Sequence, residues 1–232
     1  MHEKSLKTAK GWLSFPYDKI TQDKVKSLIE KGGEELIDSF YKELDFGTGG
    51  MRGIMGVGPN RINKYTIGRA TQGLASTLVD LYKDQDISVA IAYDCRNNSN
   101  KLALCVAEVL TANGIKAYLF NSLRPTPELS FAVRELGCKG GVVITASHNP
   151  KEYNGFKVYG ADGCQITRPF DTELIEKVRA LSINDINFNV NKALIFGLGE
   201  EMDKTYLARL KTLSLSPESI KEQEDLPIVF TG

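Results

Sequence analysis

This 232-residue sequence has few histidines and tryptophans and no formal net charge. It has two histidines and one tryptophan, and its 29 basic and 29 acidic side chains give a formal net charge of zero. That balance does not favour binding to nucleic acid or to an anionic membrane surface. No apolar run is long enough to cross a bilayer, and residues 1–7 lack the apolar core of a secretion signal. We therefore expect a cytoplasmic protein with no nucleic-acid or membrane partner.

The four cysteines do not form a metal-binding pattern. None belongs to a C-x-x-C pair, and two histidines add little, so the sequence does not favour a structural zinc site. Disulfides are not expected in a reducing compartment. Cys105 lies on the apolar face of a predicted helix, where we expect a small buried hydrophobic side chain. The others are Cys95, Cys138 and Cys164.

Strand and helix patterns alternate through the middle of the chain. Short apolar runs at 89–93, 117–120 and 142–145 predict strands, and the segments 102–113 and 126–136 between them have helical spacing. This order predicts an α/β fold, a layered domain with a largely parallel mixed sheet between helices. Further predicted elements are N-terminal amphipathic helical segments around 25–29 and 36–40, helices at 66–81 and 170–181, and a hairpin of 156–159 with 164–166.

The C-terminal part differs in composition from the rest. Residues 182–192 are polar and rich in asparagine, which predicts a linker, and a helix at 200–213 and a strand at 226–230 follow. A strand with no element after it to cover its faces suggests a fragment. We assign residues 1–190 to one domain, and 191–232 to a linker with the first helix and strand of a truncated second α/β domain.

Residues 145–150, Thr-Ala-Ser-His-Asn-Pro, carry the strongest chemical signal. They follow a buried strand, and Asn149-Pro150 then ends the strand pattern. Ser147 and His148 are thus predicted on a loop at a carboxyl strand end, where open α/β sheets bind ligands. A Ser-His-Asp triad is disfavoured, since no G-x-S-x-G elbow is present and neighbours on an extended backbone point apart. A phosphoserine, with about −1.5 to −2 charges, fits better; a structural loop serine is the alternative.

Basic and glycine-rich segments could neutralise such a phosphate. The stretch 46–53 has four glycines beside Arg52 and could bind an anion or be only a flexible turn. At Asp94-Cys95-Arg96 a structural ion pair is favoured, although Arg96 is another cation within reach of this chemistry. Lys157 could point into the same crevice or could be solvated. The segment 124–127 is most simply a stiff turn into a helix.

These segments resemble the α-D-phosphohexomutase superfamily, in the branch of phosphoglucomutases, phosphomannomutases and phosphopentomutases. Residues 145–150 resemble the family's phosphoserine loop, 46–53 its early glycine-arginine segment, and 154–157 the segment with its active-site lysine. The three motifs occur in the family's order, and the resemblance runs from about Phe46 to the end of the chain.

The resemblance implies a mutase that moves a phosphoryl group within a sugar phosphate, as from glucose 1-phosphate to glucose 6-phosphate. Ser147 would carry the phosphoryl group and exchange it through a bisphosphate intermediate. Arg52 and Lys157 would stabilise the transferring group, and His148 would assist proton transfer. The implied cofactors are Mg²⁺, bound through the phosphate on Ser147, and an activator of the glucose 1,6-bisphosphate type.

The resemblance also implies that parts of the enzyme are absent from this sequence. The family's acidic metal loop, sugar-recognition loop and C-terminal phosphate-binding segment do not occur in it. The implied partners are therefore sugar phosphates and the missing C-terminal domains of the same polypeptide. A fragment of this kind is expected to lack mutase activity, and its sequence does not choose between glucose, mannose and pentose phosphates. Two alternatives remain: a phosphatase that uses Ser147, and a non-catalytic sugar-phosphate binding module.

Overall fold

A mixed sheet of six strands forms the centre of the fold in the computed structural model, which describes residues 2–47 and 49–229. The strands are β1 (Gly50–Ile54), β2 (Ser88–Tyr93), β3 (Lys116–Phe120), β4 (Gly140–Ile144), β5 (Tyr153–Gly160) and β6 (Ile195–Leu198). Their order across the sheet is β1-β5-β4-β2-β3-β6. Strands β4, β2, β3 and β6 are parallel, whereas β5 runs antiparallel to both β1 and β4. The predicted α/β fold with a largely parallel mixed sheet is confirmed.

Helices cover both faces of this sheet. In chain order they are α1 (His2–Gly11), α2 (Lys19–Lys31), α3 (Gly33–Phe40), α4 (Lys64–Leu81), α5 (Ser99–Ala112), α6 (Thr126–Glu135), α7 (Phe170–Ala180), α8 (Glu200–Lys211) and α9 (Pro217–Glu222), with short 3-10 helices at Ile183–Asp185 and Lys192–Leu194. No helix in the described part of the chain is long and apolar enough to cross a membrane.

The central strand β2 is buried on both faces, which explains its continuous apolar sequence. Val89 and Ile91 join the larger core with α4 and α5, while Ala90 and Ala92 join a second core under α6. Cys105 is buried in the larger core, as predicted, and burial raises the pKa of its thiol to about 12.

A third apolar cluster, with Trp12 and Phe40 among its members, lies between helices α1 to α3 and Tyr65 of α4. Trp12 and Tyr17 stack with ring centroids 4.1 Å apart. The Arg61 guanidinium also ties this helical unit to the loop before α4, through an ion pair of 2.7 Å with Asp38 of α3. The N-terminal helices therefore have a core of their own and dock beside α4.

The predicted hairpin forms only in part. Its turn closes through Gly163 N–H, which donates to the Gly160 carbonyl. Beyond the turn, the Gly160 amide donates to the Cys164 carbonyl and the Ile166 amide to the Val158 carbonyl, which makes one antiparallel bridge, between Tyr159 and Gln165, and no second strand. The chain enters α7 four residues after Ile166, and this leaves little backbone to extend a second strand.

The region after residue 190 departs most from expectation. A strand not predicted from the sequence, β6, pairs with β3, and α8 packs on α6; α8 itself agrees with the helix predicted at 200–213. The strand predicted at 226–230 is wrong over 226–229, and Phe230 lies outside the described residues. Ile228 and Val229 are 81% and 90% exposed, and no described strand pairs with them. The domain division near residue 190 remains a prediction. Beyond it, β6 extends the central sheet and α8 packs on α6.

A polar contact fastens α8 to α6 near the carboxyl end of β3. The Arg124 guanidinium donates to both Asp203 carboxylate oxygens, at 2.7 and 2.6 Å. Glu128 lies beside them, 4% exposed, and its buried Oε1 has no hydrogen-bond partner among the described residues. Burial, and secondarily Asp203, raises the pKa of Glu128 to about 7, while the Arg124 hydrogen bond lowers the pKa of Asp203. The pair therefore favours a neutral Glu128 beside an ionised Asp203.

This arrangement makes stability depend on pH. Because the folded-state pKa of Glu128 exceeds its ordinary value of 4.5, its protonation stabilises the fold fully below about pH 4.5, and this contribution is lost as pH rises through about 7. We expect Glu128→Gln, which resembles the protonated carboxyl, to match the wild type at pH 4 and to exceed its free energy of unfolding by about 3 kcal/mol at pH 8. Urea denaturation at both pH values measures this. Glu135→Gln, on the exposed face of α6, is the control; a Glu128→Gln difference independent of pH would contradict the assignment.

Candidate active site

The candidate site lies where β2 and β4 end side by side. Residues 145–150, hereafter the serine loop, follow β4, and Asp94-Cys95-Arg96 follows β2. Tyr93 and Ile144 are register partners, and the Asp94 amide donates to the Ile144 carbonyl at 3.2 Å. The parallel pairing thus brings two segments together that are about 50 residues apart in sequence. Carboxyl strand ends of this kind are the usual ligand-binding edge of open α/β sheets.

Ser147 has a left-handed backbone, with φ of 56°. Its amide donates to the Thr145 hydroxyl at 3.0 Å, and the Asn149 amide closes the turn on the Ala146 carbonyl at 3.1 Å. Both Ser147 and His148 are exposed, and the Ser147 Oγ lies 3.4 Å from His148 Nδ1. The two side chains therefore lie close together and do not point apart as predicted, because the backbone at Ser147 is left-handed and not extended.

A Ser-His-Asp triad nevertheless lacks its third member. Among the described residues, no carboxylate makes a hydrogen bond or an ion pair with His148. No carboxylate of the described residues therefore fixes the tautomer of His148. Its Nδ1 can accept a proton from Ser147 or from a ligand hydroxyl only in the tautomer that leaves Nδ1 unprotonated.

Arg52 reaches the serine loop from the neighbouring edge of the sheet. It lies on β1 opposite Gly155 of β5, and its Nη1 donates to the Asn149 Oδ1 at 3.1 Å. Its side chain is otherwise exposed. The structure thus brings the predicted Arg52 beside Ser147's loop, although the two residues are far apart in sequence.

The glycine-rich stretch is less available to an anion than its composition suggests. Residues 50–53 form β1, and the backbone groups of Gly47 and Gly50 bond to each other, at 2.9 and 3.0 Å. A Cβ on Gly50 would lie 1.9 Å from the Phe156 carbonyl oxygen, so glycine here permits close strand pairing. Thr48 of this segment lies outside the described residues.

Lys157 is on the same sheet face as Arg52. On β5 it is two residues from Gly155, the register partner of Arg52, and successive side chains of a strand alternate between faces. Lys157 is partly buried, and its ammonium group forms no hydrogen bond or ion pair within the part of the chain that the structure describes. The two cations therefore lie on one face of the sheet, on adjacent strands and two register positions apart. On this face Arg52 contacts the serine loop through Asn149.

Arg96 makes more polar contacts at the site than the single ion pair expected from the sequence. The expected ion pair with Asp94 is present at 3.4 Å. In addition, the guanidinium donates four hydrogen bonds to backbone carbonyls of the serine loop and its continuation. The acceptors are Ser147 at 2.6 Å, Asn149 at 2.6 Å, Pro150 at 2.9 Å and Tyr153 at 3.1 Å. Its position directly after a central strand was the sequence signal.

Two further polar residues support this arrangement: Ser99, which the sequence did not single out, and Asn154, which belongs to the 154–157 segment but was given no role of its own. Ser99, at the start of α5, donates to the Asp94 carboxylate at 2.8 Å. Asn154, fully buried, donates to the Ser99 hydroxyl at 2.9 Å and to the Asn97 carbonyl at 3.2 Å. A continuous polar network therefore connects β5, α5 and the end of β2.

The donor set does not fit a metal centre on its own. No group of three or more His, Cys, Asp or Glu side chains in the described ranges is arranged to hold a metal ion. A phosphate on Ser147 could supply one oxygen ligand, and the remaining ligands would have to come from other parts of a longer protein.

Comparison with known proteins identifies the family to which this site belongs. Residues 43–184 match the family described as phosphoglucomutase/phosphomannomutase, alpha/beta/alpha domain I. A phosphoglucomutase of Staphylococcus haemolyticus is 38% identical over 227 residues, covering 96% of this chain and 40% of that protein. A Staphylococcus aureus phosphoglucomutase is 46% identical over 208 residues, covering 88% and 36%. The chain belongs to the phosphoglucomutase/phosphomannomutase family of the α-D-phosphohexomutase superfamily.

A solved structure shows the same fold. The crystal structure of a Thermus thermophilus protein, proposed to be a phosphomannomutase, matches with a TM-score of 0.60 and 27% identity. The match covers 74% of this chain and 36% of that one. The chain thus spans about 40% or less of the length of these three relatives.

The serine loop also depends on a close backbone approach at Gly155. A Cβ there would lie 2.7 Å from the carbonyl oxygens of both Met51 and Thr145. We expect Gly155→Ala to lower the free energy of unfolding by about 1–3 kcal/mol, since rigid backbone must move apart. Thermal and urea denaturation measure the loss. Gly11→Ala, whose Cβ would meet nothing within 4 Å, is the matched control; equal effects of the two substitutions would contradict the packing argument.

Proposed function

We propose that this chain is the phosphoserine-bearing part of a sugar-phosphate mutase. The observation that carries the proposal is the geometry at Ser147, whose exposed hydroxyl lies 3.4 Å from His148 Nδ1 on a loop that also binds Arg52. Family membership supports the reaction class, intramolecular phosphoryl transfer on sugar phosphates. The reaction is of the glucose 1-phosphate to glucose 6-phosphate type, with hexose or pentose phosphates as the substrate class.

In the proposed transfer, a sugar hydroxyl oxygen attacks the phosphorus on Ser147. The new sugar O–P bond forms as the Ser147 Oγ–P bond breaks, and His148 accepts the proton of the attacking hydroxyl. His148 passes this proton to the departing Ser147 Oγ, which lies 3.4 Å from its Nδ1. In the second half the Ser147 hydroxyl attacks the other phosphoryl group of the bisphosphate, and its proton passes through His148 to the sugar oxygen that loses the phosphoryl group. Arg52 and Lys157 offset the charge on the transferring group. Such chemistry depends mainly on positioning and charge neutralisation, which this loop supplies.

The remaining components are proposals at the level of the whole protein. Mg²⁺ would bind an oxygen of the phosphate on Ser147, and a glucose 1,6-bisphosphate-type activator would load the serine. Further domains of the same polypeptide would supply the metal loop and sugar recognition. The cytoplasm, where sugar phosphates are metabolised, is the proposed location.

A serine-dependent phosphatase is the second candidate. The observation that favours it is the exposure of Ser147 and His148, because water can reach a phosphoserine on this loop. The two functions differ in the lifetime of the phosphoserine, which a mutase protects from water and a phosphatase hydrolyses.

We expect glucose 1,6-bisphosphate in large excess to transfer one phosphoryl group slowly to Ser147 of this chain, because a single transfer does not need the repeated turnover for which the other domains are proposed. Mass spectrometry of the intact protein and of its peptides measures the modification and its persistence after the bisphosphate is removed. Ser147→Ala should remain unmodified, whereas the control Ser214→Ala, in an exposed position far along the chain, should be labelled like the wild type. Rapid loss of the group to water would favour the phosphatase, and absence of label with unchanged ligand binding by Ser147→Ala would favour a binding module.

The 232-residue chain alone should show essentially no conversion of glucose 1-phosphate to glucose 6-phosphate with Mg²⁺ and the bisphosphate activator. The reason is that the acidic metal loop is not in its sequence, and one phosphoserine oxygen is a poor site for Mg²⁺. A coupled assay for glucose 6-phosphate measures this against a full-length phosphoglucomutase. Turnover comparable to that of the full-length enzyme would refute the proposal that other domains are needed.

A further inference from the structure

We propose that Arg96 is a positioning residue that holds the serine loop in the conformation from which Ser147 accepts and donates the phosphoryl group. It does so through backbone carbonyls and is not itself a ligand of the phosphate. This inference rests on the proposed function. It assigns different work to Arg96 and Arg52, both of which the sequence offers as cations that could offset the charge of a phosphate.

The hydrogen-bond donors of Arg96 are fully committed. A guanidinium has five N–H donors. Its two Nη1 donors go to the carbonyls of Pro150 and Tyr153, and its two Nη2 donors go to those of Ser147 and Asn149. The fifth, on Nε, faces the Asp94 carboxylate at 3.4 Å. A phosphate oxygen could therefore bind Arg96 only by displacing a loop carbonyl or the Asp94 carboxylate.

These contacts act at the point where the backbone needs support. Ser147 has φ of 56°, a left-handed conformation unfavourable for residues other than glycine, and such conformations persist where the surroundings over-determine them. Arg96 binds the carbonyl of Ser147 itself and that of Asn149, two residues further on. These hydrogen bonds from Arg96 to the serine loop, hereafter the clamp, therefore span the turn that presents the Ser147 hydroxyl to ligand.

Arg96 is itself held from behind. The Arg96 side chain is 12% exposed. Asp94 Oδ1 accepts hydrogen bonds from the Arg96 amide and from the Ser99 hydroxyl. The other carboxylate oxygen of Asp94, Oδ2, faces the Arg96 Nε. Asn154 then fixes Ser99. This support comes from β2, α5 and β5, so the guanidinium is anchored in the rigid part of the domain.

Arg52 differs in each of these respects. Its side chain is exposed, and it makes a single polar contact with the described residues, a hydrogen bond to the Asn149 side chain. Most of its N–H donors therefore remain free for phosphate oxygens. The geometry points to Arg52 as the cation that binds the phosphoryl oxygens. It points to Arg96 as the residue that holds the loop from beneath through its carbonyl groups.

The first experiment compares Arg96→Lys with Arg52→Ala by hydrogen–deuterium exchange over residues 145–153. A lysine keeps the charge but has only three donors on one nitrogen and cannot reproduce the fork. We expect several-fold faster loop exchange in Arg96→Lys with circular dichroism melting close to the wild type, and near wild-type loop exchange in Arg52→Ala. Wild-type loop protection in Arg96→Lys would overturn the clamp. Asp94→Asn, which weakens the contact between Asp94 and the Arg96 Nε, should also speed exchange in this loop. It serves as the test variant if Arg96→Lys does not fold.

The second experiment measures phosphoryl uptake from glucose 1,6-bisphosphate. Misplacement of the serine should slow Arg96→Lys by about 10- to 100-fold, although the charge is kept. In ³¹P NMR titrations of the phosphorylated fraction, Arg52→Ala should raise the phosphate pKa toward its ordinary value of about 6, whereas Arg96→Gln should shift it much less. Equal shifts, or full uptake by Arg96→Lys, would make Arg96 a charge ligand and overturn the proposal. Absence of uptake by the wild type would instead refute the proposed function, and the exchange experiment would still decide the clamp.

Discussion

The parallel pairing of β2 with β4 is the constraint on which the site depends. It places Tyr93 opposite Ile144, so that the segments after these residues leave the sheet at the same edge. This places Arg96 beneath the serine loop, within hydrogen-bond distance of its backbone carbonyls. The pairing is stabilised by burial on both faces of β2, whose small and branched side chains enter two separate cores. The site thus derives its rigidity from the part of the molecule that is most buried.

Antiparallel pairing on the other side of β4 completes the cluster. Strand β5 lies between β4 and β1, and its register brings Arg52 and Lys157 to one face of the sheet. Glycines make this possible, because Gly50 and Gly155 approach carbonyl oxygens too closely for any side chain. Neutral backbone contacts therefore determine where the positive charges lie. The cations themselves contribute little to holding the strands together, since Arg52 is exposed and Lys157 forms no ion pair with any residue that the structure describes.

A division of labour follows for the basic side chains around Ser147. A cation whose donors are used by backbone carbonyls and by a carboxylate raises the local potential but cannot form the short hydrogen bonds that a moving phosphoryl group requires. A cation with free donors can form them. Under the proposed function, the arrangement would keep Ser147 in its left-handed conformation while the charge on this residue changes by about two units in each cycle. The exposure of the loop is consistent with relatives that are more than twice as long as this chain, in which other segments could cover it.

The sequence by itself determined the α/β alternation, the burial of Cys105, the helix at 200–211 and the loop that carries Ser147 and His148, because these depend on local periodicity, on proline and on a specific motif. It did not determine β6, whose four residues form a strand only because β3 offers an unpaired edge, nor did it show that 226–229 would find no strand to pair with. It also favoured an extended backbone at Ser147, where the structure has a left-handed one. The role of Arg96 required the tertiary structure for the same reason. Its acceptors are carbonyl groups, which every residue carries, and only the fold decides which of them a guanidinium can reach.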